Sequence, residues 1–238
     1  MIEQNLAAIR EKIRFICGQG KRDCSSVRIV AVSKGRSVEE IGRVLSSGIY
    51  DIGENRVQEA SEKHALLQRV SPAMIRWHMV GHLQSNKARE AVRIFDLIHS
   101  IDSLKLAAEI NRHAQAAGKV QQVLVQVNIS GEGTKSGLSP VEAAGAVKEM
   151  FSMPNIMVKG LMTIAPHFFG QEKARPFFAG LRTLMEELNC LLPDVRRLEF
   201  LSMGMSEDFE AALCEGSNML RLGRIIFDGT NQGVSGAG

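Results

Sequence analysis

Lys34 is the residue of this chain whose type and position most clearly permit covalent chemistry. It ends an apolar run at residues 27–33, where a buried strand is expected to meet a loop. Partial burial there would disfavour the ammonium form and lower the pKa of the amine, leaving a neutral nucleophile that attacks an aldehyde to form a Schiff base. Because a lone lysine usually only caps a strand at the surface, the assignment depends on the residues beside it.

Polar residues also follow the other apolar segments of the chain. Parallel strands place their carboxyl ends together, and in an α/β barrel that end carries the active site. Polar strand ends occur in any barrel, so eight of them on one rim indicate a site without defining its chemistry. In chain order these groups are Ser33 and Lys34, residues 54–56, His82, Asp102, Asn128, Thr163, residues 202–206 and residues 221–223.

The seventh and eighth strand ends contain the residue types of a phosphate site. Residues 202–206 supply two hydroxyl groups and Gly204 at the predicted start of a helix, whose free backbone N–H groups suit an anion. Arg221 and Gly223 add a guanidinium and another N–H, and the loops after strands seven and eight bind phosphate in many barrels. Together with Lys34, these residues make pyridoxal 5'-phosphate (PLP) one candidate aldehyde.

The elements that would position these residues alternate between short apolar strands and amphipathic helices. Eight strands in a chain of 238 residues favour an α/β fold, a single (β/α)8 TIM barrel with an extra N-terminal helix. An open doubly wound sheet stays the alternative, since a sequence does not show closure. Capping-box spacings at Ser37 and Ser139, and Gly48, Gly118 and Gly216 after helical stretches, support the boundaries. The predicted strands cover residues 27–33, 49–53, 75–80, 97–101, 121–128, 156–163, 197–203 and 219–222, and the helices between them residues 37–47, 56–69, 85–95, 103–117, 139–151, 171–191 and 206–215.

Length and composition fit one domain over residues 1–238. The chain is 45% hydrophobic, enough for a large core, and no Pro/Gly/Ser-rich linker or charge run interrupts it. A net charge of +3 arises from 29 basic and 26 acidic residues spread along the chain, so there is no basic stripe for a nucleic-acid backbone. Aromatic residues make up only 5%, which gives few platforms for base stacking. We therefore expect a small-molecule ligand and no nucleic acid.

The N-terminal segment and the cysteines favour a cytoplasmic protein. Residues 2–16 are amphipathic, with neither the apolar core of a signal peptide nor a span long enough to cross a membrane. Cys17, Cys24, Cys190 and Cys214 form no Cys-x-x-Cys pair, which argues against a zinc site or a redox motif. We expect four reduced thiols, no bound metal and no membrane association.

Six ordered segments resemble the pyridoxal phosphate homeostasis proteins, the YggS/PROSC family. They are AVSK (31–34), GENRVQE (53–59), WHMVGHLQSNK (77–87), GLMT (160–163), LSMGMS (201–206) and RLG (221–223), followed by IF at 226–227. The resemblance implies a barrel like the alanine racemase N-terminal domain, with Lys34 joined to PLP as an aldimine. It also implies roles for further residues: Ser202, Gly204, Met205, Gly223 and Arg224 around the phosphate, Asn55 and Met162 in the pocket wall, and Arg221 facing the pyridine nitrogen.

Two positions depart from the family pattern. Asp228 follows Phe227 where the family usually has glycine, and Arg224 stands where serine or threonine is common. Both departures concern only the edge of the phosphate site.

Arg221 and the search for a second base bear on whether the protein is an enzyme. A fixed cation opposes protonation of the pyridine nitrogen, which disfavours transaminase chemistry and leaves racemase-type chemistry or non-catalytic binding. A racemase needs a base on the other face of the cofactor, and we expect no second domain to supply it. Tyr50, the sole tyrosine, would lie ~16 Å from Asn55, near the opposite end of the barrel. His82 and His167 fall on the correct rim and keep this alternative open.

Two further features suggest other ligands less convincingly. His78 and His82 are four residues apart, but residues 77–80 read as a strand, so the spacing does not bring two metal ligands together. Lys135 lies in a glycine-rich loop at residues 131–137 that lacks the order of a Walker A motif. The roles of Lys87 and Lys135 stay open.

The sequence therefore predicts a cytoplasmic, monomeric PLP-binding protein that stores or delivers the cofactor and has no catalytic residues. Apo forms of PLP-dependent enzymes are candidate partners. The alternative is a small amino-acid racemase that uses Lys34 and His82. An aldolase-type enzyme, with Lys34 forming a Schiff base to a phosphate ester, is a third interpretation that explains Arg221 less well.

Overall fold

Eight parallel strands alternate with helices in a computed structural model that describes residues 1–70, 75–133, 136–166 and 171–228. Helix α1 (Ile2–Gln19) precedes the first strand. The strands are β1 (Arg28–Val32), β2 (Asp51–Glu54), β3 (Arg76–Met79), β4 (Leu97–Ile101), β5 (Gln121–Gln126), β6 (Ile156–Met162), β7 (Phe200–Ser202) and β8 (Met219–Leu222). The helices that follow them in order are α2 (Val38–Ser46), α3 (Val57–Val70), α4 (Ala88–Ile94), α5 (Leu104–Ala116), α6 (Pro140–Met150), α7 (Arg175–Leu191), α8 (Phe209–Cys214) and α9 (Arg224–Phe227).

The strands pair in sequence order, and β8 pairs back onto β1 to close the barrel. In that closing pair, Arg28 lies opposite Met219 and Ala31 opposite Leu222, both strands running parallel. Closure confirms the predicted (β/α)8 barrel and rules out the open doubly wound sheet. The sequence left both open because strands buried on two faces have the same apolar pattern in either architecture.

The core has two parts. The larger lies between the barrel and its helices, and α1 joins it through five buried residues: Ile2, Leu6, Ile9, Ile13 and Cys17. The α1 helix also packs against α8 and α9, where the Asn5 side chain donates to the Ile226 carbonyl at 2.9 Å. A smaller apolar cluster fills part of the barrel interior and includes Val30, Val80, Leu97, Leu124, Met162, Phe200 and Met219.

Local signals located most element boundaries correctly. Ser37 and Ser139 form complete capping boxes, and Gly48, Gly118 and Gly216 have positive φ angles as expected of helix ends. Four boundaries differ by three residues or more. Helices α4 and α7 begin later than expected, at 88 and 175, since a 3₁₀ turn precedes each one; β7 begins at 200; and α8 begins at 209. Helix α9 was not predicted, because four residues are too few to show a helical period.

Within the described ranges, no helix has both the length and the apolar composition that crossing a bilayer requires.

Candidate functional site

A cavity of about 590 Å³ opens at the carboxyl ends of the strands. Seven of the eight strand ends contribute to its wall, and β4 does not. Asp102, which follows β4, does not line the cavity but contacts a residue that does, with Oδ2 3.2 Å from Nδ1 of His82. The lining residues include Lys34, Asn55, residues 80–82, residues 126–128, residues 164–166, residues 205–208, Arg221, Gly223 and Arg224.

The cavity brings together six of the nine residues expected to bind the cofactor: Lys34, Asn55, Met205, Arg221, Gly223 and Arg224. The other three, Met162, Ser202 and Gly204, are buried and do not line it. Met162 belongs to the apolar cluster inside the barrel. Gly204 has a φ of +92°, and a Cβ atom on it would lie 2.6 Å from the Ala212 Cβ, so the packing of α8 accounts for this glycine.

Lys34 is exposed, contrary to the partial burial expected from the strand pattern. The backbone turns at Gly35, with a φ of +70°, and Lys34 lies in the wall of the cavity. Gly35 donates its N–H to Oε1 of Glu59 at 2.6 Å, which fixes the loop directly after the lysine.

An anchoring cluster of Ser33, Glu54, Glu59 and Lys63 holds the loop that carries Lys34. Lys63 Nζ donates to the Ser33 carbonyl at 2.6 Å and to Oε1 of both Glu54 and Glu59 at 2.7 Å. The Ser33 hydroxyl donates to the same Glu54 oxygen at 2.5 Å. Burial raises the pKa of Glu54, and the hydrogen bonds from Lys63 and Ser33 oppose that rise. The sequence interpretation missed Lys63, whose only signal was a lysine four residues after Glu59.

The strongest candidate for an anion cradle is centred on Ser206. The backbone N–H groups of Gly223 and Ile225 donate to Ser206 Oγ at 3.4 and 3.3 Å, and Ser206 lines the cavity. The sequence analysis expected free backbone N–H groups at a helix start near residue 206, and the structure does not have them there. Helix α8 begins at residue 209, and the Met205 N–H donates to Asp208 Oδ1 at 2.6 Å. The donors come instead from the turn into α9, which the sequence did not predict.

Arg221 forms a buried cationic part of the cavity wall. Its side chain donates to Ser202 Oγ at 2.7 Å and to the Thr163 carbonyl at 2.8 Å. Burial lowers the pKa of Arg221 to about 10, with the nearby Asp208 opposing the shift. The guanidinium is therefore charged at neutral pH. Ser202 contacts this arginine from inside the barrel instead of lining the cavity.

His82 lines the cavity, whereas His78 lies inside the barrel, so the two histidines do not form a metal pair. No group of three or more metal-ligating side chains occurs in the part of the chain that the structure describes. Lys87 belongs to the 3₁₀ turn at Ser85–Lys87 and does not line the cavity. His167 and Lys135 lie outside the described residues.

Both departures from the family pattern form ion pairs at the rim. Arg224 pairs with Glu207 at 2.6 Å, and Asp228 pairs with Arg36 at 2.6 Å. The hydrogen bond to Asp228 raises the pKa of Arg36, and the guanidinium also lies over the Phe227 ring, 5.0 Å from its centroid. Asp228 thus joins the end of α9 to the loop that carries Lys34.

Comparison with known proteins gives consistent matches along the chain. Residues 4–231 match the family described as alanine racemase, N-terminal domain. The pyridoxal phosphate homeostasis protein of Pasteurella multocida (strain Pm70) is 39% identical over 230 residues, which are 95% of this chain and 96% of that protein. PipY of Synechococcus elongatus PCC7942, solved with PLP bound, is 35% identical, with a TM-score of 0.83 over 95% of this chain and 100% of that one.

A more distant likeness extends to enzymes. An alanine racemase of Clostridium difficile 630 is 17% identical and superposes with a TM-score of 0.72 over 98% of this chain and 57% of that chain, which shows a shared fold alone. The resemblance seen in the six sequence segments is confirmed by the family match and by the full-length relatives. This chain belongs to the alanine racemase N-terminal domain family and, within it, to the pyridoxal phosphate homeostasis proteins.

Proposed function

We propose that this protein binds PLP in the cavity at the carboxyl rim and serves in homeostasis of the cofactor by holding and delivering it. The observation that carries the proposal is the presence in one cavity wall of an exposed lysine, Lys34, a backbone cradle around Ser206 and a buried cation, Arg221. Relatives over nearly the full length of the chain are pyridoxal phosphate homeostasis proteins, and one similar structure was solved with PLP bound.

The residues present suit the chemistry of this cofactor. The Ser206 oxygen accepts two backbone N–H groups, so its own hydroxyl proton is left to donate to a phosphate oxygen. The two N–H contacts are long, at 3.4 and 3.3 Å, so they hold the Ser206 oxygen only weakly. When bound, PLP supplies an aldehyde that condenses with a primary amine, and among the described residues Lys34 is the lysine that lines the cavity.

The other residues would orient the ligand. Arg221 places a positive charge in the wall and cannot accept a hydrogen bond from a protonated pyridine nitrogen. It therefore disfavours chemistry that needs that nitrogen protonated. The backbone of Asn55 lies close to the loop after β3. A Cβ atom on Gly81 would lie 2.4 Å from the Asn55 carbonyl oxygen, so only glycine fits at position 81. The anchoring cluster fixes the backbone on either side of Lys34.

We further propose that the protein does not turn over substrate, acts as a monomer in the cytoplasm and passes PLP to apo forms of PLP-dependent enzymes. The side chains of the proposed site all come from one barrel, so the proposal needs no second chain to complete the site. The cysteines Cys17, Cys24, Cys190 and Cys214 are free thiols, which suits a reducing compartment. Transfer of PLP from the loaded protein to an apo enzyme, faster than from an equal concentration of free PLP, would support delivery.

The covalent site can be tested by chemical trapping. Borohydride reduction of the PLP-loaded protein, followed by peptide mapping, is expected to find the pyridoxyl group on Lys34. Lys34→Ala should lose the label and keep non-covalent affinity for PLP, whereas Lys87→Ala should keep the label, since Lys87 does not line the cavity. A label found mainly on Lys87 or Lys135 would contradict the assignment.

A racemase stays the second candidate function because His82 lines the cavity beside Asp102. If the protein only binds PLP, incubation with either enantiomer of alanine or serine in deuterium oxide should give no more exchange at Cα than free PLP does. Exchange well above that level, abolished in His82→Ala, would favour the enzyme.

A further inference from the structure

A continuous chain of buried polar side chains crosses the barrel interior below the cavity. It consists of Asp51, His78, His99, Ser202 and Arg221, one residue each from β2, β3, β4, β7 and β8, and is called the polar column here. His78 Nε2 lies 2.8 Å from Asp51 Oδ1, and His78 Nδ1 lies 2.9 Å from His99 Nε2. His99 Nδ1 lies 2.9 Å from Ser202 Oγ, to which Arg221 donates at 2.7 Å.

These side chains are unusual occupants of a barrel interior. Every member of the polar column is buried, and His99 and Ser202 are fully so. Barrel interiors are normally filled by branched apolar residues, and buried polar groups cost free energy unless all their hydrogen bonds are made. The β4–β5 register also shifts between Ile98 and Ile101, the segment that contains His99. Bulges of this kind often direct a side chain beside a functional site.

With one proton on each imidazole, the two ends of the polar column determine the direction of every hydrogen bond in it. Arg76, at the outer end, donates to both oxygens of Asp51 at 2.7 and 2.6 Å. Burial by itself raises the pKa of Asp51, but the hydrogen bonds from Arg76 and His78 hold it well below its usual range. Asp51 is therefore a carboxylate that can only accept, and Arg221 at the other end can only donate.

Proton counting then assigns the two imidazoles. His78 must donate from Nε2 to Asp51, so in its neutral form Nδ1 is an acceptor and His99 must donate to it from Nε2. The Nδ1 atom of His99 is then an acceptor, and the Ser202 hydroxyl donates to it. The Ser202 oxygen is left to accept from Arg221, which matches the observed contact.

His99 is neutral because of what surrounds it. His78 faces it from β3, Ser202 from β7 and, beyond that hydroxyl, Arg221 from β8. Burial, together with the charge of Arg221, holds the pKa of His99 well below its usual value. Protonation of Nδ1 would leave the Ser202 hydroxyl proton without an acceptor inside the column.

We propose that His99, together with His78 and Asp51, is a positioning residue that fixes the Arg221 guanidinium in the cavity wall through the Ser202 hydroxyl. The proposal rests on the proposed PLP function. In it, the column sets the orientation of the cation in the cavity wall, and so adjusts the affinity and the proton affinity of the bound cofactor. Groups that orient binding residues in this way are worth about 10- to 100-fold in affinity at metal sites.

The first experiment reads the column in the protein without cofactor. Imidazole ¹⁵N chemical shifts at neutral pH are expected to show both His78 and His99 as neutral rings with the proton on Nε2. A charged His99, or a proton on its Nδ1, would overturn the assignment. This measurement does not depend on PLP binding, so it tests the polar column separately from the proposed function. Failure of the proposed function would show instead as unmodified protein that does not bind PLP.

The second experiment changes His99 and follows bound PLP. His99→Leu is expected to weaken PLP binding by roughly tenfold and to shift the pH midpoint of its visible absorption band. His99→Asn should restore most of both, because its Oδ1 can accept from Ser202 in the place of Nδ1. Ser100→Ala is the matched control, since Ser100 is the next residue of β4, is buried, and its hydroxyl has no partner among the described residues.

Two outcomes of the second experiment would overturn the proposal. One is a His99→Leu variant with the secondary structure of the unmodified protein, the same PLP affinity and the same pH midpoint. The other is a His99→Asn variant no closer to the unmodified protein than His99→Leu. If His99→Leu does not fold, the ¹⁵N measurement decides the question.

Discussion

At the residue scale, Ser202 and Ser206 show how two hydroxyl groups of one short motif reach different places. Ser202 is the last residue of β7, and its side chain points into the barrel between His99 and Arg221. Ser206 lies four residues later, in the turn before α8, and lines the cavity. The Ser202 proton is committed to His99, whereas the Ser206 proton is free for a ligand. We therefore assign the phosphate contact to Ser206 and a supporting contact to Ser202.

Substitution of Ser206 tests that assignment. Ser206→Ala is expected to weaken PLP binding by about 10- to 150-fold, equivalent to about 1.5–3 kcal/mol for a hydrogen bond to a charged group. Affinity for unphosphorylated pyridoxal should change little, because the aldehyde still meets Lys34. Titration of both ligands checks the ratio, with Ser100→Ala as the control. An equal loss for both ligands would remove the phosphate from this end of the cavity.

At the scale of elements, the short connections after the strands position the site. The loop after β1 is held by the anchoring cluster on one side and by the capping box of α2 on the other, where Ser37 and Glu40 bond to each other's backbone N–H groups. Arg36, between them, pairs with Asp228 at the end of α9. Because such surface pairs are worth about 0.2–1 kcal/mol, the cap and the cluster contribute more to the position of Lys34.

Two matched cap variants separate stability from site geometry. Ser37→Ala and Ser139→Ala each remove a capping-box serine and should each cost about 0.5–2 kcal/mol in free energy of unfolding. Only Ser37→Ala should also weaken PLP binding, since α2 begins four residues after Lys34, whereas neither Ser139 nor the first turn of α6 lines the cavity. Urea unfolding and PLP titration measure the two effects. Equal PLP affinity in both variants would contradict a role of the α2 cap in holding Lys34.

At the scale of the whole molecule, buried titratable groups make stability depend on pH. His99 has a lowered pKa, so the unfolded chain binds a proton there, near its ordinary pKa of about 6.5, that the folded barrel does not. Stability is therefore lost as pH falls through that value. Asp51 also has a lowered pKa, so its contribution is complete above about pH 3.9 and is lost as pH falls below that.

We expect two acid phases in the stability of the unmodified protein. The free energy of unfolding should fall between about pH 7 and 5 through His99, and again below about pH 4 through Asp51. His99→Leu should flatten the upper phase. Asp51→Asn should flatten the lower phase and cost about 3–5 kcal/mol at neutral pH, because it leaves Arg76 and His78 without their carboxylate. Urea unfolding at several pH values checks this, and an unchanged upper slope in His99→Leu would contradict it.

The sequence by itself determined the order and type of the elements, the two capping boxes and the strand end that carries Lys34. These features are local, because apolar periodicity and cap residues act within a few positions along the chain. The family resemblance likewise depends on ordered segments that can be read without coordinates. This is why six of the nine expected residues line the cavity.

Only the tertiary structure decided barrel closure, the exposure of Lys34 and the separation of Ser202 from Ser206. It also decided the polar column, whose members are spread from residue 51 to residue 221 and meet only inside the closed barrel. His99 and Ser100 read in the sequence as two polar residues in an apolar strand, with no local pattern that indicates a partner for His99. Its role arises from four other strands, and contacts between distant strands leave no local pattern.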